Sequence, residues 1–246
     1  MLHADETPAR VDSGFKYVHV ACTDAYTLFH VGGRSAADID AGGVLPGFAG
    51  TIVRDGYAAY QHLTDAEHAW CGAHLLRDLK GVHETDPGGQ SWAEAMANTL
   101  LFAKNATESA VEQGRDALSE ADIKFIGSAY AGAIAQGRAE NPPDRNDDLS
   151  KAGKLVERFA THRDTILRFV IDLAVPFTNN SAERALRPVK LQQKTSGTWR
   201  ILQGLADFAA VRSYLDTARK RGKDTLDVLR QLFTTGPWLP PATEPS

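Results

Sequence analysis

Glu183, Arg187, Lys190 and Lys194 follow one another at intervals of four, three and four residues, the spacing that puts side chains on one face of an α-helix. One carboxylate thus heads a row of three cations. A carboxylate is a ligand for a hard divalent ion, and cations at helical pitch can follow a phosphate backbone. The same residues admit a plainer reading, because Asn180-x-x-Glu183 has the form of a capping box with solvated basic residues beyond it. Other carboxylates decide between the two. Asp5, in Leu2-His3-Ala4-Asp5-Glu6-Thr7-Pro8, and Asp55, in Thr51-Ile52-Val53-Arg54-Asp55-Gly56-Tyr57, each end a short segment of strand character. Acids at strand ends commonly face a crevice outside the sheet. Glu6 projects to the opposite face of its strand from Asp5, so only one of that pair can face such a crevice.

The elements that must carry these acids begin with residues 1–35, where β-rich segments at 17–22 and 27–31 meet at Asp24-Ala25 and Ser13-Gly14 sets off the opening strand. The pattern predicts a three-strand antiparallel meander. Ser35 would cap a short helix to residue 40, and Gly42-Gly43 and Pro46-Gly47 break the chain before the strand that ends at Asp55. A short helix at 58–63 and a strand at 67–71 follow. The next helix opens in Cys71-Gly72-Ala73-His74 and carries Leu75, Leu76 and Leu79 at helical spacing. Cys71-x-x-His74 is half of a zinc ligand set, and no second such pair follows it.

Pro87-Gly88-Gly89 marks a change of character. Ser91-x-x-Glu94 reads as a capping box opening a helix with Trp92, Met96, Leu100 and Ala103 on one face. A second helix, capped by Ser119, carries Ile123, Ile126, Tyr130 and Ile134; a charged, proline-containing loop spans 137–148; a third helix carries Leu155, Phe159, Ile166, Phe169 and Val170. Residues 86–172 are therefore expected to be all helical. Asn180 or Ser181 would cap the Glu183 helix, and Pro188 is predicted to kink or end it. Thr198-Trp199-Arg200 reads as a loop that either lies on DNA or packs. A helix at 205–220 ends in Arg219-Lys220-Arg221-Gly222-Lys223, and a last short helix covers 224–233. The tail 237–246 holds four prolines and is expected to be disordered. The predicted organisation is 1–85, a 86–172 insertion, 173–236 and the 237–246 tail.

With 43% hydrophobic and 24% charged residues in 246, the composition is that of a folded globular chain. No apolar run is long enough to span a bilayer and the N-terminus lacks a signal-like pattern, so a cytoplasmic location is expected. Cys22 and Cys71 stand in unlike contexts and suggest no disulfide framework. The formal charge of −4, from 27 Lys plus Arg against 31 Asp plus Glu, argues against a nucleic-acid binder overall. Between Glu183 and Arg230 the balance reverses, to eleven basic and five acidic residues. That part is the electrostatic candidate for DNA.

Four stretches, Ala4-Asp5-Glu6-Thr7-Pro8, Arg54-Asp55-Gly56-Tyr57-Ala58-Ala59-Tyr60, Cys71-Gly72-Ala73-His74, and the run from Asn179 to Pro188, occur in an order that resembles the catalytic domain of the IS66 family of DDE transposases. The resemblance implies an α/β fold, a ribonuclease H-like mixed sheet flanked by helices, with an all-helical insertion before the last catalytic carboxylate. It also implies that Asp5, rather than Glu6, joins Asp55 and Glu183 as a DDE triad and metal-ligand set for Mg²⁺, with Mn²⁺ as a substitute. Arg187, Lys190, Lys194 and Arg200 would contact DNA, and Cys71, His74 and Asn180 would support the site. The partners implied are transposon ends and target DNA, and a second copy of the chain; no membrane is involved. Met1 stands four residues before Asp5, which raises a second expectation: a truncated, non-catalytic fragment that binds DNA or full-length transposase. A ribonuclease H-like nuclease acting without strand transfer is the third.

Overall fold

In a computed structural model, which describes residues 1–12 and 14–241, five strands form one mixed sheet. They are β1 (Leu2–Val11), β2 (Gly14–Cys22), β3 (Thr27–Gly32), β4 (Thr51–Arg54) and β5 (Glu67–Trp70), in the order β3-β2-β1-β4-β5. The chain is thus α/β. It divides into two compact units, one of Met1–Ile52, Tyr57–Ala66 and the chain from Asn180 onward, the other of Val53–Gly56 and Glu67–Asn179.

In the first unit β1, β2 and β3 are the antiparallel meander that the alternating pattern predicts, with Asp5 opposite Val20 and Val20 opposite Phe29. Alternation sorts their side chains onto two faces. On one, Ala9, Val18, Val20, Cys22 and Phe29 pack against Ala182, Leu186 and Val189 of α8 (Asn180–Ser196) and Leu205 and Ala209 of α9 (Leu202–Lys220). On the other, Leu2 and Ala4 meet Ile39 of α1 (Ala36–Asp40), Ile52, Tyr60 and Leu63. Ser35 caps α1 through a capping box with Asp38.

Helix α8 departs from the pattern in two ways. Asn180 is already its first helical residue rather than the residue before it, so the predicted capping role of Asn180 is not what the backbone shows. Pro188 does not end the helix either, which runs on to Ser196. An interior proline costs about 3 kcal/mol, whereas burying Leu186 and Val189, at 0% and 1% exposure, contributes about 1.5–3 kcal/mol each. Packing on the sheet therefore outweighs the proline.

Beyond the reach of four-residue β4, the far end of ten-residue β1 has other partners. The Arg10 N–H donates to Gln193 Oε1 at 3.0 Å and Gln193 Nε2 donates to the Pro8 carbonyl at 2.9 Å. Trp199 N–H donates to the Arg10 carbonyl at 2.9 Å, the Asp12 N–H donates to the Trp199 carbonyl at 2.8 Å, and the Trp199 ring packs on Phe208. The edge strand β3 is closed by hydroxyls of α9, with Phe29 N–H donating to Ser213 Oγ at 2.8 Å and Thr27 N–H to Thr217 Oγ1 at 3.1 Å. Both devices occupy strand groups that would otherwise be open to pairing with another chain. Helix α10 (Thr225–Thr234) follows, capped by Asp224. Trp238 N–H then donates to the Tyr214 hydroxyl at 2.9 Å, and the rest of the predicted disordered tail, 242–246, lies outside the described residues.

The second unit is helical beyond β5: α2 (Gly72–Thr85), α3 (Ser91–Glu112), α4 (Glu120–Glu140), α5 (Lys151–Thr161) and the short α6 (Arg163–Ile166) and α7 (Arg168–Ile171). Trp92, Met96, Leu100, Ile126, Tyr130 and Phe159 make its core, along with Trp70 and Leu79. The cap expected at Ser91 is replaced by a tertiary one. Gln90 is the N-cap position, without a side-chain bond, and Glu140 at the end of α4 accepts from the Ser91 hydroxyl at 2.5 Å and from Trp92 N–H at 3.1 Å. The single third helix is in fact three, interrupted at His162 and Leu167, with the His162 ring packed 4.5 Å from Trp70.

Replacing Gln193 by alanine removes both of its bonds to the β1 backbone. We expect Gln193→Ala to lower unfolding stability by about 1–2 kcal/mol, read as a drop in the urea midpoint at unchanged m-value.

Candidate active site

Asp5 is half-buried on β1, and its register partner Val20 belongs to the face covered by α8. Its Oδ1 accepts the Glu6 N–H at 2.9 Å. Glu6 points the other way, as strand alternation requires. It accepts from the Arg34 guanidinium at 2.9 Å and from the Tyr60 hydroxyl at 2.8 Å, with a side chain only 2% exposed. Of the two adjacent acids, Glu6 is committed to an ion pair with the part-exposed Arg34 and Asp5 is the one on the α8 side. Glu183 lies half-buried in the first turn of α8, and Arg187, Lys190 and Lys194 follow it as exposed residues on the uninterrupted helix. Arg200 is exposed beside the packed Trp199.

In the other unit Asp55 follows directly on β4, half-buried. Its backbone is held by its neighbour. The Arg54 side chain, 2% exposed, donates from Nε to His68 Nδ1 at 2.9 Å and from its guanidinium to the Asp55 carbonyl at 2.8 Å, and it lies over the Trp70 ring. A buried guanidinium with hydrogen-bond partners is costly to disturb. The Arg54 carbonyl in turn accepts the Cys71 N–H at 2.7 Å.

Cys71 is the N-cap residue of α2. Its Sγ accepts the Asn179 N–H at 3.2 Å, and Gly72 N–H donates to the Phe177 carbonyl at 2.7 Å. Burial pushes the Cys71 thiol up, but hydrogen bonds from the His74 ring and from the Asn179 and His74 N–H groups together bring it below its usual value. His74 shifts the opposite way, above its usual value. Its bond with the Cys71 sulfur is the main cause; burial opposes it, and the charges of Cys71 and Asp55 add to it. His74 therefore contributes stability that is present below its unfolded pKa and lost as pH rises through the folded one. Cys71 contributes stability present above its unfolded pKa and lost as pH falls through the folded one.

The structure places Asp5, Glu183, Arg187, Lys190, Lys194 and Arg200 in the meander unit, and Asp55, Cys71 and His74 in the helical unit. Three residues went unremarked in the sequence: Arg54, Gly72 and Asn179. An arginine inside an apolar strand beside an acid is the available signal for the first and the glycine itself for the second, where a side chain would meet the Phe177 ring; Asn179 acts through its backbone N–H, which leaves no mark in residue type.

The model of a known family, described as "Transposase IS66 family", matches residues 1–207, a span that contains every one of these positions. The chain belongs to the IS66 transposase family. Over 200 residues this IS66 family chain is 29% identical to a protein of Sinorhizobium fredii (strain NBRC 101917 / NGR234) named "Uncharacterized protein y4qI", an alignment covering 77% of this chain and 36% of the relative. The chain thus spans about a third of the length of that relative. Among the described residues, no helix is long and apolar enough to cross a membrane.

Two outcomes follow from the Cys71-Gly72 turn. A methyl group at Gly72 would stand 2.1 Å from the Phe177 ring, so Gly72→Ala is expected to lower stability by about 1–3 kcal/mol, measured by thermal unfolding. His74→Phe removes the ring hydrogen bond and leaves burial dominant at Cys71. The thiol pKa should then rise, as read by thiolate absorbance in a Cys22→Ala background; an unchanged or lower midpoint would contradict the assignment.

Proposed function

We propose that the chain is the catalytic domain of a DDE transposase, cutting and joining DNA with Asp5, Asp55 and Glu183 as its metal-binding carboxylates. The observation that carries this reading is the family match over residues 1–207. It is supported by the placement of Asp5 on the α8 side of β1 while Glu6 is consumed by Arg34 and Tyr60. The order of elements, an antiparallel meander followed by β4, β5 and an all-helical stretch ahead of Glu183, supports the reading of a ribonuclease H-like core with a helical insertion.

The donor set suits a hard divalent cation. All three groups are half-buried carboxylates; brought together they would repel one another, a repulsion that Mg²⁺ or Mn²⁺ would relieve, and their oxygens match the preference of those ions. A bound metal pair would supply Lewis-acid stabilisation of a phosphate in in-line displacement. The protein's own groups do the rest. Arg187, Lys190, Lys194 and Arg200 neutralise and orient DNA phosphates, a role that positions the strand without reading its sequence. Cys71 and His74 support the site. The attacking oxygen comes from water when a transposon end is nicked and from that end's 3′-hydroxyl when it joins target DNA. The partners are accordingly transposon ends and target DNA, with a second copy of the chain.

Asp55→Asn should abolish Mg²⁺-dependent cleavage of DNA carrying transposon ends by more than ~100-fold, since a ligand rather than its supporting group is lost, with an unchanged circular dichroism spectrum. Full activity in that variant would sink the proposal.

A further inference from the structure

The Cys71-Gly72 turn binds two stretches of chain with three consecutive groups. The Cys71 N–H donates to the Arg54 carbonyl at 2.7 Å, the residue immediately before Asp55. The Gly72 N–H donates to the Phe177 carbonyl at 2.7 Å, and the Phe177 ring fills the space that any Cβ at Gly72 would need. The Cys71 Sγ accepts the N–H of Asn179, the residue immediately before α8 and four before Glu183, at 3.2 Å, with both residues only 1% exposed. A buried N–H left without an acceptor costs about 1–3 kcal/mol. The thiol therefore fixes Asn179 locally, and the anchored residue sits at the doorway of the helix that carries the last carboxylate.

We infer that Cys71 is a positioning residue for the proposed metal site: its backbone N–H fixes the handover from β4 to Asp55, and its sulfur anchors Asn179, the residue from which the chain enters α8. This inference rests on the proposed transposase reading. The role assigned to Cys71 is to hold the backbone on either side of the site. It gives a role to a buried cysteine that forms no disulfide and stands at the N-cap position of α2. Serine keeps an acceptor at that position, whereas alanine removes it.

The test uses the full chain with Cys71→Ala and Cys71→Ser. Amide hydrogen exchange is read for Asn179, for the first turn of α8 and for the α3–α4 core, and Mn²⁺ affinity is read by electron paramagnetic resonance without DNA. We expect Cys71→Ala to speed exchange at Asn179 and the first turn of α8 by about tenfold or more while the α3–α4 core is unchanged. Mn²⁺ binding should weaken about 10–100-fold, the usual loss on removing a group that orients a metal ligand, and Cys71→Ser should recover most of both. Exchange that rises uniformly, or Mn²⁺ binding that is unaltered in the folded alanine variant, would overturn the inference by showing that Cys71 only stabilises the fold. If alanine prevents folding, a serine variant with wild-type exchange and Mn²⁺ affinity supports the acceptor role, and one with both impaired overturns it. Wild-type protein that binds no Mn²⁺ overturns the metal reading itself, and local exchange at Asn179 then supports the anchor alone.

Discussion

Everything proposed for the meander unit depends on one packing interaction, the seating of α8 on the face of β1 and β2 that carries Ala9, Val18 and Val20. Ala182, Leu186 and Val189 recur at intervals of four and three, the period that aims them together at that face. Their burial carries the helix on past Pro188, so that Lys190 and Lys194 belong to the same helix as Glu183 and Arg187. Gln193 and Trp199 then bind the far end of β1, tying the chain after α8 to the strand that bears Asp5. A single apolar stripe thus fixes a face of the sheet, a helix and the row of charges along that helix.

The acids divide by what surrounds them. The Glu6 side chain is buried, and Arg34 and Tyr60 satisfy both of its oxygens, so it holds structure. Asp5, Asp55 and Glu183 are half-buried. The cations that follow Glu183 stay solvated, so the electrostatics they offer are of the screened, surface kind that suits DNA phosphates rather than a tight ion pair.

Much of the local structure was legible because local chemistry decided it. Strand alternation separated Asp5 from Glu6, Ser35 and Ser119 cap their helices as their positions suggest, and the hairpin registers follow from short turns. What the residue pattern missed was decided at a distance. Ser91 looked like a cap, but Glu140, 49 residues away, took that role. Pro188 looked like a stop, but the energy that overrides it lies in residues of β2. Ile123 fits the apolar stripe of α4 and is nevertheless 46% exposed, since periodicity gives a direction and not the extent of the partner surface. The support that Cys71 gives Asn179 runs through a backbone N–H, and no residue type announces it.

The metal centre proposed for Asp5, Asp55 and Glu183 is open to direct measurement. Crystals of the protein grown with Mn²⁺ and measured at the manganese absorption edge test it directly, because the anomalous signal locates the ion without assumption about the protein. The expected result is anomalous peaks coordinated by the carboxylates of these three residues, as a pair about 4 Å apart if two ions bind. Manganese held by other acids, with Asp5, Asp55 and Glu183 free of it at saturating concentration, would contradict it.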